Sequence, residues 1–243
     1  MQAIFGNRTY RTILGGVDLV EFSVTVKETN LFIRAEKDLT DQAYAAVMDA
    51  RNAIERYILS RSELQTSLVP ITGDPYAPPI VKEMIRDSSL AGVGPMAAVA
   101  GAIAEFVARR LSRSTNEVIV ENGGDVFIIS AGVRVVALHV DDRGPRIGIE
   151  VGDAREGCGI SSSSAVIGRS LSLGGTDLAT VMAGRGALSD AAATALGNRV
   201  KNMRDIESAL VQINAIPGVS GTVVLADGNI GAAGDVKIVA LSG

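Results

Sequence analysis

Two oxygen-bearing side chains stand four residues apart in "ALSDAAATALGN", the carboxylate of Asp190 and the hydroxyl of Thr194. In a helix that spacing puts both on one face, one turn apart. A carboxylate and a hydroxyl are hard oxygen donors of the kind Mg²⁺ accepts, with room left for water and phosphate oxygens. The pair also fits a structural role, in which Asp190 favours a helix N-terminus and Thr194 bonds back to the turn before it. A second polar cluster is the turn "ENGGDV". Gly123 and Gly124 permit positive φ or close approach of a ligand, and Asn122 and Asp125 flank them, although an ordinary hairpin turn carries the same residues. In "CGISSSS" the thiol of Cys158 is a candidate catalytic nucleophile, and Ser161 and Ser162 can bond the polar edge of a ligand. Lone cysteines also serve as inert core fillers. The glycine-rich "AGVGPM" can present backbone N–H groups to an anion or simply pack tightly, and it has neither the spacing nor the lysine of a P-loop. His139, the single histidine, sits in "VALHV" with no visible partner for a triad or a zinc site.

These groups need a scaffold to bring them together. Residues 9–37 alternate like paired strands, with a turn expected around Thr29 and Asn30. Asp38 and Thr40 supply cap chemistry, and Ala43, Val47, Ala50, Ile54 and Ile58 then recur at helical spacing. A proline-containing connector, "VPITGDPYAPP", leads to a short helix at "IVKEMIRDSS". In "GVGPMAAVAGAIAEFVARRL" Pro95 stands where a first helical residue belongs, ahead of a helix that is apolar or tiny nearly all round. Such a helix is buried against other backbone. "EVIVEN", "DVFIIS", "RVVALHV" and "RIGIEV" read as strands of an antiparallel meander. A strand at "DLATVMA", helices at "ALSDAAATALGNRVK" and "IESALVQINAI", and a final hairpin "TVVLADGN…DVKIVAL" complete the pattern.

The chain of 243 residues is long enough to bury a real core, and with 47% hydrophobic and 21% charged residues it has the balance of a globular protein. Its 27 glycines and alanine runs point to close backbone packing rather than a core of large aromatics. A net charge of −4 and no dense basic run argue against a nucleic-acid partner. One cysteine excludes an internal disulfide. The start "MQAIFGNRTY" lacks a signal-peptide pattern, and "LAGVGPMAAVAGAIA" is too short and too glycine-rich to span a membrane. A cytoplasmic location with no membrane partner is the expectation.

The order of "GVGPMAAVAGAIAEFV", "VENGGDVFI", "RIGIEVGD", "GISSSS" and "ATVMAGRGALSDAAATALGN" resembles the ApbE-like superfamily. Its founding members are magnesium-dependent FAD:protein FMN transferases, once assigned to thiamine biosynthesis. The likeness covers roughly residues 85–200 and is strongest to an uncharacterised branch found in archaea and in anaerobic or sulfur-metabolising bacteria. It implies one ApbE-like α+β domain over 1–243, with antiparallel sheets packed against helices. It also implies that Asp190 and Thr194 hold Mg²⁺, and that Asn122, Gly123, Gly124 and Asp125 lie beside a flavin nucleotide, FAD or FMN. The transferases carry a histidine and an Asp-Pro segment after the serine-rich strand, where "AVIGRSLSLGGTD" has neither. Their glycine-lysine-glycine is replaced by "GVGPMAAVAG".

The expected function is therefore a flavin- or nucleotide-related ligand cleft, Mg²⁺-dependent, without transfer of FMN. The cleft would lie between the Gly123-Gly124 turn, Ser161–Ser164 and the Asp190 helix. The alternative is a non-catalytic or accessory protein of sulfur assimilation and homocysteine formation, in which Cys158 would occupy an open turn near the cleft.

Overall fold

The computed structural model describes residues 13–14, 19–138, 147–164 and 177–241. In chain order these form β1 (Ile13–Leu14), β2 (Val20–Val26), β3 (Thr29–Ala35), α1 (Thr40–Ser60), α2 (Glu63–Thr66) and α3 (Pro79–Ala91). A 3₁₀ turn, Pro95–Ala98, precedes α4 (Val99–Leu111), β4 (Val118–Asn122), β5 (Asp125–Ile129), β6 (Arg134–Leu138) and β7 (Ile147–Val151). The chain continues through β8 (Cys158–Ser163), β9 (Leu178–Ala183), α5 (Gly186–Arg199), α6 (Ile206–Asn214), β10 (Val219–Ala226), β11 (Asn229–Gly234) and β12 (Lys237–Ala240).

The strands make two antiparallel sheets. The larger has the order β11-β10-β9-β8-β5-β4-β3-β2 and the smaller β1-β6-β7-β12. Alternation along each strand divides the larger sheet into two faces. Val118, Val120, Phe127, Ala179, Val181 and Val224 join the helices in one core, while Ile119, Val126, Ile128, Ile160, Leu178 and Val223 meet the smaller sheet in a second core. The result is a helical layer, a central sheet and a small outer sheet, an α+β arrangement as expected.

Pairing departs from the expected pattern in three places. The first hairpin turns at Lys27–Glu28, with Lys27 at φ 52°, while Thr29 and Asn30 already pair with Val26 and Thr25. Thr29 has a reason to be inside the strand: it is buried and accepts a 2.7 Å hydrogen bond from Arg51 on α1. The four central strands are not one meander, because β6 and β7 leave for the smaller sheet and β8 returns to lie beside β5. Likewise β10 and β11 form a hairpin, but β12 pairs with β7 instead. Pro95 is the first residue of the helical segment, as expected; its first turn is 3₁₀, and the α-helix continues from Val99.

Small residues set the spacing of the helical layer. A Cβ on Gly101 of α4 would lie 2.1 Å from the Gly186 carbonyl oxygen, and one on Gly186 of α5 would lie 2.4 Å from the Gly101 carbonyl oxygen. The two helices therefore touch backbone to backbone. Among the described residues no single helix is long and apolar enough to cross a membrane, and α3 and α4 are bent by 105° at their junction.

Candidate functional site

Helix α5 is packed on nearly every side, against β8, β9, α3 and α4. From Gly186 to Gly197 only Asp190 and Thr194 are not buried, and Asn198 continues their line one turn further on. The two expected oxygen donors thus share the one accessible stripe of an otherwise buried helix. The Asp190 Oδ2 atom accepts the Gly101 N–H at 2.9 Å, and the Ala100 N–H also stabilises the carboxylate. These amides belong to the first turn of α4, so Asp190 caps a helix other than its own.

The Gly-Gly turn meets the same place. Asn122 and Asp125 face each other across the end of the β4–β5 hairpin, with Gly123 at φ 69° and Gly124 at φ 119°. Two successive positive φ values exclude ordinary side chains there, and a Cβ on either glycine would meet nothing within 4 Å. The turn is glycine for its conformation, with open space above it. Asn122 Nδ2 donates to the Ala100 carbonyl at 3.1 Å and so ties the turn to the entry of α4. Asp125 shares its strand face with Phe127 and Ile129, which belong to the helix-side core.

Asp125 and Asp190 converge. Burial pushes the Asp125 carboxyl up to about 7, against a lowering hydrogen bond from Ser161 and with further repulsion from Glu121. Burial and the neighbouring Asp125 raise Asp190 well above the usual carboxylate range, although the Gly101 and Ala100 amides oppose the shift. Ser161 lies beneath the pair on β8, with its hydroxyl 2.8 Å from that of Ser189, which also donates to the Gly186 carbonyl at 2.9 Å.

The period of a strand separates the remaining expected residues from this place. Gly159 and Ser161 face α5, and a Cβ on Gly159 would lie 2.7 Å from Ser189 Oγ. Cys158, Ile160 and Ser162 point to the other side. Ser162 bonds Thr180 across the sheet at 2.8 Å, and Cys158 packs on the core between the sheets. Cys158 is thus in a strand rather than an open turn, and burial raises its thiol to about 11. It borders a separate cleft of about 840 Å³ between the sheets, with Val151, Met182, Ser220 and Lys237. In "AGVGPM", Gly94 is accounted for by packing, because a Cβ there would stand 1.9 Å from the Ser67 carbonyl oxygen. His139 and most of "AVIGRSLSLGGTD", residues 165–176, lie outside the described residues.

Sequence reasoning missed three contributors: Ser189, the Gly101 amide, and Glu105, whose Oε2 accepts the Gly186 N–H at 2.7 Å. The glycines at 101 and 186 were the available signal for this helix crossing. Among the described residues no cluster of three His, Cys, Asp or Glu side chains could hold a metal alone. The donor set nevertheless suits Mg²⁺: two desolvated carboxylates with mutual repulsion, a hydroxyl one turn away, and remaining positions open to water or ligand oxygens.

A wide antiparallel sheet with helices on one face and a small second sheet on the other is the fold of the ApbE proteins. The structure is similar to the flavin transferase ApbE from Vibrio cholerae, with a TM-score of 0.60 and 15% identity over 89% of this chain and 97% of that one. It is similarly close to the apo flavinyl transferase ApbE of Pseudomonas stutzeri, with a TM-score of 0.59 and 13% identity over 89% of this chain and 94% of that one. At these identities the likeness is one of fold.

Sequence relatives are nearer. The UPF0280 protein of Methanopyrus kandleri is 43% identical over 180 residues, 72% of each chain. That of Methanocaldococcus jannaschii is 33% identical over 223 residues, 88% of this chain and 90% of its own. A family model described as "AbpE bacteria" matches residues 11–215, and the chain belongs to this family, within the archaeal UPF0280 branch of the ApbE-like proteins.

Proposed function

We propose that this protein binds a flavin-class nucleotide together with Mg²⁺ at the Asp190 stripe and does not transfer FMN. The observation that carries the proposal is the convergence of Asp125 and Asp190, two desolvated acids with no basic partner among the described residues. Asp190 and Thr194 would hold the ion, with Asp125 adding charge beside it. Once bound, Mg²⁺ would neutralise the pair and present phosphate oxygens to the protein. The Gly101 amide holds Asp190 in place, and the Gly123-Gly124 turn leaves open space at the end of the β4–β5 hairpin. The absence of the transferases' lysine from "GVGPMAAVAG" and of their histidine from "AVIGRSLSLGGTD" supports binding without transfer.

Titration calorimetry with FAD and with ADP, in the presence and absence of Mg²⁺, tests the proposal. Binding should require the metal and should weaken at least 100-fold in Asp190→Asn, a variant that keeps an oxygen for the Gly101 N–H. Equal affinity in that variant would remove Asp190 from the site. Covalent flavin on a threonine-containing acceptor after incubation with FAD and Mg²⁺ would overturn the second half.

A further inference from the structure

The accessible stripe of α5 does not end at Thr194. Asp190, Thr194 and Asn198 follow one another at four-residue steps, and the intervening residues from Ala191 to Gly197 are buried. At 1.5 Å of rise per residue the three span about 12 Å. The two ends of that line are fixed by contacts. Asp190 sits at Gly101, while the Arg199 guanidinium lies 3.9 Å from where a Cβ on Gly92 would be. The 3₁₀ turn Pro95–Ala98 lies between Gly92 and Gly101 in the chain and packs on α5. Met96 and Ala97 on this turn, and Val99 and Ala100 just after it, are only partly buried. An acid, a hydroxyl and an amide therefore run beside an apolar edge, away from the Gly-Gly turn.

We propose that Asn198 determines specificity in the same site. It reads the polar edge of the heterocycle whose phosphates are held at Asp190 and Thr194, with the partly buried apolar edge at Met96 and Ala97 alongside the ring. This rests on the proposed phosphate site. A carboxamide suits the role because it presents donor and acceptor together, matching the alternating N–H and C=O edges of flavins and purines. Asn198 already makes an interaction inside the protein, and an amide has two N–H groups and two carbonyl lone pairs to share.

The test compares three probes by titration calorimetry on the full chain in Mg²⁺: inorganic pyrophosphate, ADP and FAD. Asn198→Ala should weaken the preferred nucleotide about tenfold, the size of one lost hydrogen-bonded contact, and leave pyrophosphate unchanged. Asn198→Asp, which keeps the acceptor and loses the donor, should change the ADP-to-FAD preference, and Asp190→Asn should lose all three probes. Unaltered nucleotide affinity in both Asn198 variants, or an equal loss for pyrophosphate and nucleotide, overturns the role of Asn198 and leaves the phosphate site standing. If the wild-type protein binds none of the probes, both proposals fall. Circular dichroism of each variant separates a lost contact from a lost fold.

Discussion

Helices α4 and α5 cap each other, but the two caps differ in charge. At one end of the crossing Glu105 accepts the first amide of α5 at 2.7 Å, and its other oxygen is paired with Arg109 at 2.7 Å. At the other end Asp190 accepts the Gly101 amide at 2.9 Å, and its nearest charged neighbour is a second acid, Asp125. A third acid, Asp87 on α3, is fully buried and held by Arg86 and Arg185 at 2.8 and 2.9 Å. Within one layer, the two buried acids, Glu105 and Asp87, each have an internal cation, and the half-buried Asp190 has none among the described residues. Desolvated charges are costly unless paired, and this pair of acids is where the proposed Mg²⁺ would sit. Capping explains why an acid stands at residue 190. It does not explain Asp125 beside it.

The largest effect should come from breaking the crossing that holds both caps. In Gly101→Ala the added carbon would meet the Gly186 carbonyl oxygen at 2.1 Å, a backbone atom that can yield only if the helices part. Overpacking of this kind costs about 3 kcal/mol or more, a large fraction of a typical domain's stability. The melting temperature should fall by at least about 6 °C at this chain length. A shift under 2 °C in a thermal melt would mean that the helices tolerate separation and that neither cap is fixed by close contact.

How much of this was legible in the sequence follows from range. Helix α5, the Gly-Gly turn and the Asp190–Thr194 face could be read because periodicity and glycine punctuation are local. The abundance of small residues announced backbone contact but not its partners, which Gly101 and Gly186 find across more than eighty residues. Sheet membership was hidden for a different reason: β6 and β7 alternate like β4 and β5, and nothing in a strand's pattern says which of two sheets it joins. The serine-rich segment failed most instructively. Placing Cys158 in an open turn beside the serines made Cys158, Ser161 and Ser162 neighbours of one ligand, whereas a strand through all three sends Ser161 to the acids and the other two away.

A smaller effect, with opposite signs at the two ends, sharpens the comparison of the caps. Asp190→Asn keeps an acceptor for the Gly101 N–H and removes one of two repelling charges. Metal-free protein at pH 8 should therefore melt about 2–4 °C higher, corresponding to roughly 1 kcal/mol. Glu105→Gln keeps the cap but loses the Arg109 pair, and should melt lower by a similar amount. The wild-type protein carries the same information in its pH dependence. Asp125 and Asp190 both hold their protons more tightly when folded than when unfolded; for Asp125, folding takes up a proton between about pH 4 and 7, and stability falls as pH rises through that window. Differential scanning calorimetry without metal should show this decline, and millimolar Mg²⁺ should reduce it. A metal-free protein that becomes more stable from pH 5 to 8, or an Asp190→Asn variant that melts lower, would give the acid pair an internal cation after all.

The smallest expected effect is at Cys158, and it asks whether the unpaired acids influence anything beyond the helical face of the sheet. The thiol belongs to the core on the opposite side, and burial raises it to about 11. At pH 8 only about one molecule in a thousand would then carry the thiolate, which is the reactive form, against roughly a quarter for an unperturbed thiol. Alkylation of the native protein should accordingly be slower than that of a free thiol by about two orders of magnitude. Adding Mg²⁺ and nucleotide should not change the rate, since the Asp190 stripe and Cys158 are separated by the sheet itself. Cys158→Ala should alter nucleotide affinity less than twofold. Protection of the thiol by nucleotide would be the informative surprise: it would require the ligand to enter the cleft between the sheets, and the sorting of β8 into a polar working face and an inert one would have to be abandoned.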